Sequence, residues 1–170
     1  MTTVTLSEVC DFAALGERWR DLESRSDPSF FQSWTWTGCL AAERFPDPVL
    51  AEVREGGRTV GLALFNRGHG TGGEVLFLGE TGALPWDRLV IEHNGPLVTR
   101  DRVDDLPDRI LNAAADRYDL ILSGMTRPVP GLLLKSQPAP FARSDTGYIG
   151  RRSANTRQQI RRSDRAFAAF

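Results

Sequence analysis

The chain has 170 residues, 41% of them apolar and 25% charged, with a formal net charge of -1. That length suits one globular domain or two small ones, and the composition excludes wholesale disorder and a chain that is basic throughout. Two cysteines, Cys10 and Cys39, exclude a disulfide scaffold, and no apolar run approaches the roughly 18 residues of a membrane helix. The N-terminus MTTVTLSEVCDF has neither the basic start nor the apolar run of a signal peptide, so a soluble cytoplasmic protein with no membrane partner is expected. Charge is uneven: residues 143–170 hold seven arginines against Asp145 and Asp164, a net of +5, which leaves -6 on the remainder. An acidic body ending in a basic segment is a pattern of interaction segments.

Thr3 to Leu6 reads as a first strand. Asp11 is a plausible N-cap for a helix to about Arg25, with Leu15, Trp19 and Leu22 at helical spacing. Ser33 is positioned to cap a second helix through Trp34, Trp36, Leu40 and Ala41, ending before Pro46. Two alternating runs follow, Val49, Ala51 and Val53 on one face, then Val60, Leu62 and Leu64 on another. Gly56-Gly57 between them supplies the positive φ of a tight hairpin. Arg67 to Gly73 (RGHGTGG) reads as a flexible loop and Glu74 to Leu78 as a third strand of the meander. Gly79 to Gly95 is irregular, with an extended stretch at Arg88 to Ile91. A helix is expected from about Asp101 to Arg117, carrying Val103, Leu106, Ile110 and Ala114. Next come a strand at Tyr118 to Leu122, a short helix at Pro128 to Leu134 and a strand at Phe141 to Gly150. Strand, two helices, meander, helix and strand define an α/β (α+β) fold with a mixed sheet.

Ser153 is an N-cap signal for a last helix from Ala154 to the end. About 16 residues make a rod of roughly 24 Å. Arg157, Arg161 and Arg165 share one face; Ile160, Phe167 and Phe170 lie near the other. No glycine or asparagine C-cap follows, and the apolar ending suggests that something continues or docks there.

Several stretches hold candidate chemistry. Arg67, Gly70 and Gly72 formally fit the R/Q-x-x-G-x-G/A loop that cradles a coenzyme A pyrophosphate. Such a cradle needs free N–H groups at a helix start. A strand pattern follows instead, so a hairpin turn is the preferred reading. His69 and His93 have no partner at ligand spacing, so no metal is expected. Hydrolase nucleophile motifs and P-loops are absent, and no catalytic residue is identified. The stretch Pro85 to Pro96 is densest in polar groups: Asp87, Glu92, His93 and Asn94 flank a short apolar run. These groups can line a polar cleft, with His93 beside Glu92 in proton transfer, or form a surface turn hinged at Asn94-Gly95. Phe30, Phe31, Trp34 and Trp36 cluster at a helix start, as core or as a cleft wall.

The chain resembles the N-terminal part of GNAT-superfamily acetyltransferases of the CelD-like or BioF2-like type, relatives of FemAB-type transferases. The resemblance runs through Phe31-Gln32-Ser33-Trp34-Thr35-Trp36, Val60 to Leu64, Leu76-Phe77-Leu78-Gly79-Glu80-Thr81-Gly82 and Trp86-Asp87-Arg88 to Asn94-Gly95, ending with the most specific stretch, Ser153-Ala154-Asn155-Thr156-Arg157 to Ser163. It implies a GNAT-like, largely antiparallel mixed sheet flanked by helices, with residues 1–150 as an N-terminal half-domain and 151–170 as the first helix of a second GNAT domain. It implies transfer of an acyl group from acetyl-CoA or another acyl-CoA to a small-molecule amine or hydroxyl. The CoA site of this family pattern lies in the second half, so no cofactor site and no turnover are expected of this chain alone. Trp34, Trp36, Asp87, Glu92, His93 and Asn94 are the expected acceptor-side residues. Two other functional classes are also open: a small interaction module, self-associating through its basic C-terminal helix, and a nucleic-acid binder gripping phosphates with those arginines, which the acidic body disfavours. A compact one-domain enzyme is a further reading; it requires Arg67 to Gly72 to stand before a helix.

Overall fold

The computed structural model describes residues 3–87, 91–131, 150 and 152–168. The chain divides into two compact units, Met1–Leu132 and Leu133–Phe170. In the first, local signals place the elements. Strand β1 (Val4–Glu8) leads to helix α1 (Phe12–Glu23), whose N-cap Asp11 accepts from the Ala14 amide at 2.9 Å. Helix α2 (Trp34–Arg44) starts at Ser33, which accepts from the Trp36 amide at 3.3 Å. Strands β2 (Pro48–Glu55) and β3 (Arg58–Gly70) join through Gly56-Gly57, whose φ angles of 55° and 82° suit a tight turn that other residues enter at a cost. Then follow β4 (Gly73–Leu78), the two-residue β5 (Leu97–Val98), α3 (Leu106–Ala115) and β6 (Asp119–Ile121).

The six strands described form one mixed, mostly antiparallel sheet in the order β1-β2-β3-β4-β6, with β5 on β3. β3 shares one edge between two partners: Gly61 and Leu62 pair with β5, and Phe65 to Gly70 pair with β4. β4 and β6 run parallel, Val75 opposite Asp119 and Phe77 opposite Ile121. A parallel pair needs a crossover, and α3 lies within it. Helices cover both faces. Leu15, Trp19 and Leu22 of α1 and Ala41 of α2 pack on Leu50, Leu62, Leu64 and Leu97. On the other face Leu106, Ile110, Leu111 and Ala114 of α3 pack on Val49, Ala51, Val53, Ala63 and Phe65. Each fully buried leucine or phenylalanine stabilises the fold by roughly 1.5–3 kcal/mol, which holds a sheet buried on both sides.

Four expectations change. Arg67 to Gly70 is not a flexible loop but the end of β3, and only Thr71-Gly72 turns before Gly73 re-pairs with Gly70. Val60 does not share a face with Leu62 and Leu64. Val53 pairs with Gly61 and Arg54 with Thr59, so Val60 is an extra residue in β3 and packs against the α3-side core. The helix expected from Asp101 begins at Leu106, because Pro107 fits only a first turn; Val103 before it is 47% exposed. Residues 128–131 are not helical. The rest of that expected helix, the extended stretch at 88–90 and the strand at 141–149 lie outside the described residues.

In the second unit, helix α4 (Ala154–Phe167) is capped by Ser153, which accepts from the Thr156 amide at 3.2 Å. Arg157 turns back to donate to the carbonyls of Arg152 at 2.7 Å and Gly150 at 3.4 Å. Arg161, Arg162 and Arg165 are exposed and Ile160 is half-buried. The side chain of Phe167 and residue Phe170 lie outside the description.

Candidate functional site

Parallel strands bring their carboxyl ends side by side, and in open sheets that edge is where ligands bind. Beyond Leu78 of β4 stands Glu80, and beyond Ile121 of β6 stands Ser123. The Ser123 hydroxyl donates to Glu80 Oε2 at 2.6 Å. Both residues are half-buried, and among the described residues no cation forms an ion pair with Glu80. Burial pushes the Glu80 carboxyl above the ordinary glutamate value; the Ser123 hydrogen bond pulls it down and the charge of Asp87 pushes it up.

Asn94 ties the two strand ends together. It is buried, and its Nδ2 donates to the carbonyls of Leu78 at 2.9 Å and Ser123 at 3.0 Å. Its Oδ1 accepts from the Gly95 amide at 2.9 Å, and its own amide donates to the Gly124 carbonyl at 2.9 Å. Gly124 has φ 69°, and a Cβ there would lie 2.1 Å from the Ile91 carbonyl oxygen, so only glycine fits this crossing. The 93–96 segment is pinned from the helical side as well. Ser29 Oγ donates to the His93 carbonyl at 2.7 Å, and Gln32 Nε2 donates to the carbonyls of Gly95 and Pro96 at 3.3 and 3.1 Å.

The loop after Glu80 is clasped by Asp87. Its carboxylate accepts from the Thr81 amide and hydroxyl, both at 2.9 Å, and from the Gly82 amide at 2.8 Å. Buried Asn66 of β3 donates to the Thr81 carbonyl at 2.6 Å and accepts from the Asp47 amide at 3.3 Å. Glu80 therefore sits on backbone held from both sides.

The structure brings two of the six expected acceptor-side residues, Asp87 and Asn94, to the surroundings of Glu80. Glu92 and His93 are exposed, and His93 adopts a left-handed φ of 52°. Trp34 is a helix-packing residue. Its ring lies where a Cβ on Gly16 or Gly38 would fall, 2.8 and 2.6 Å from its atoms, and its centroid is 5.8 Å from that of Trp19. Trp36 packs edge-on against Phe31, with centroids 5.1 Å apart. A groove of about 300 Å³ runs beside Asn94, lined by Gln32, Pro96, Met125, Thr126 and Arg127 among others.

Arg67, Gly70 and Gly72 do not fit a pyrophosphate. Arg67 holds Asp47 through Nε at 2.7 Å and Nη2 at 3.1 Å, with Glu8 at 3.3 Å and Glu74 at 3.7 Å. The hydrogen bond to Asp47 leads in raising its pKa further above the normal arginine value. A guanidinium ringed by three carboxylates repels an added anion. The amides of Thr81 and Gly82 are likewise taken, by Asp87.

Glu80 and Ser123 were not singled out from sequence as site residues. Glu80 falls inside a short glycine-flanked turn, and its partner lies 43 positions away, so local pattern carries no sign of the pair. A half-buried carboxyl with a raised pKa, no ion-paired cation and one fixed oxygen is equipped to accept a proton. Among the described residues no His, Cys, Asp and Glu cluster that could hold a metal is present, and no helix is long and apolar enough to cross a membrane.

No protein-family model matches the chain, and no curated protein matches it. Among solved structures, the chain is similar to a ribosomal-protein-alanine N-acetyltransferase from Brucella melitensis biovar Abortus 2308, at 13% identity and a TM-score of 0.45, over 84% of this chain and 98% of that one. It is also similar to glucosamine-6-phosphate N-acetyltransferase from Arabidopsis thaliana, at 13% identity and a TM-score of 0.41, over 82% and 98%. A third is a predicted acetyltransferase with acetyl-CoA from Clostridium acetobutylicum, at 15% identity and a TM-score of 0.35, over 84% and 96%.

Proposed function

We propose that the chain is an acyltransferase of the GNAT type, in which Glu80 accepts the proton of an amine or hydroxyl acceptor; this departs from the expectation of no turnover by the chain alone, and acceptor-dependent turnover decides between the two. The observation that carries this reading is the Glu80 carboxyl itself: half-buried, without an ion-paired cation among the described residues, and raised in pKa at the carboxyl ends of β4 and β6. The resemblance of Leu76 to Gly82 and of Ser153 to Ser163 to CelD-like transferases supplies the acyl-CoA thioester as donor. As the acceptor's nitrogen or oxygen bonds to the acyl carbon, the carbon–sulfur bond breaks with its electrons on sulfur, and Glu80 takes the acceptor's proton. Glu80 then returns that proton to the thiolate or to water. A carboxyl whose pKa is moved toward neutrality is a better acceptor than an ordinary one, and such general-base catalysis contributes typically 10²–10⁴-fold. Asn94 and Asp87 keep the carboxyl in place by fixing the backbone on either side of it. No described residue is assigned to the nucleotide part of the donor.

The test is thiol release from acetyl-CoA in the presence of a panel of small amines and alcohols, with wild type and Glu80→Gln. Acceptor-dependent release that falls by roughly 10²–10⁴-fold in E80Q is expected. Absence of release with every acceptor, or equal rates in the two proteins, contradicts the reading.

A further inference from the structure

We propose that Ser123 is a positioning residue for Glu80, its hydroxyl fixing one carboxylate oxygen so that the other meets the acceptor. The inference rests on the reading of Glu80 as proton acceptor and adds to it the group that aims and tunes it. Ser123 Oγ reaches Oε2 at 2.6 Å, and among the described residues Oε1 has no hydrogen-bond partner. A hydroxyl has a single proton to donate. It orients a carboxylate well only when its own backbone is fixed, and here it is. The Ser123 carbonyl receives the Asn94 amide group, the Gly124 carbonyl receives the Asn94 backbone N–H, and Gly124 presses on Ile91.

Three influences act on the proton of Glu80. Burial favours the neutral form and Asp87, the charged group that acts on it, does the same; the Ser123 hydrogen bond favours the ionised form. Among the described residues Ser123 is therefore the neighbour that keeps Glu80 available as a base. Removing the hydroxyl leaves two influences pointing the same way, so the carboxyl holds its proton to higher pH and also loses its fixed rotamer.

The test is a titration of the Glu80 carboxyl by carbon-13 NMR in glutamate-labelled protein, the resonance identified by its loss in E80Q. Ser123→Ala is expected to move the midpoint upward, while Ser123→Thr, which keeps the hydroxyl, stays with wild type. Ser123→Cys, with a weak thiol donor, is expected to move it up as well and serves if the alanine variant does not fold. In turnover, S123A is expected to shift the acidic limb of kcat/KM to higher pH and lower kcat roughly tenfold, the order of a hydrogen bond to a charged group, with KM nearly unchanged. An unmoved midpoint in folded S123A, or an equal shift in S123T, overturns the proposal. A shifted midpoint together with wild-type turnover in E80Q overturns the proton-acceptor reading on which it rests.

Discussion

Asn94 makes four hydrogen bonds to four different backbone groups, and both hydrogens of its amide are used. Buried polar groups left unpaired cost about 1–3 kcal/mol each. Asn94→Ala strands the carbonyls of Leu78 and Ser123 and the Gly95 amide, although water can reach part of the rim. A loss of about 2–4 kcal/mol in urea unfolding is expected, and a loss below about 0.5 kcal/mol, the range of ordinary surface substitutions, is the contrary result. The residue was visible in the sequence as part of a polar run, but its function as a strap between two strand ends was not. That function depends on carbonyls 16 and 29 positions away. Arg67 shows the opposite case. Its motif spacing matches an anion loop, yet its surroundings of Asp47, Glu8 and Glu74 are those of a structural cation.

At the scale of elements, what was legible was what is local. Asp11, Ser33 and Ser153 cap helices where serine and aspartate should, and Gly56-Gly57 turns the first hairpin. Register was not legible. The extra residue at Val60 exists because Thr59 and Gly61 pair with adjacent residues of β2, and its carbonyl is taken by the Thr99 amide at 3.1 Å. The two-residue β5 is equally invisible, since Leu97-Val98 has no periodicity to read. The α1–α2 contact carries a prediction. Trp34 fills a slot made by Gly16 and Gly38, and a Cβ on Gly38 would lie 2.6 Å from the indole. Gly38→Ala must displace the ring or the helix, at roughly 1–3 kcal/mol for such overpacking. Combined with Trp34→Ala, which empties the slot, the glycine substitution is expected to cost much less. Additive losses in thermal melts of the two single variants and the double would contradict this packing.

For the whole molecule, burial of Glu80 links proton uptake to stability. Its folded-state pKa lies above the unfolded one, so its contribution to stability is fully present below about pH 4, near the ordinary glutamate value, and is lost as pH rises through the folded value. E80Q removes that loss. The variant is expected to melt at a higher temperature than wild type at neutral pH, with the difference shrinking as pH falls toward 4. A constant difference across that range would show that Glu80 is not held above its ordinary value. Such an exchange of stability for a poised carboxyl is common where a site needs a base. Composition and charge foresaw none of this, because they describe the surface of the chain rather than the environment of one carboxyl. They did mark the uneven charge: three exposed arginines line α4 of the second unit.

The measurement that bears most directly on the assignment of Glu80 is the pH dependence of kcat/KM for acyl transfer, taken as the ratio of wild type to E80Q so that ionisation of the acceptor cancels. The ratio is expected to rise with pH through a single ionisation above the ordinary glutamate value of about 4.3 and to level off at roughly 10²–10⁴. A ratio that is flat across the whole range, or close to one, contradicts Glu80 as the group that takes the proton.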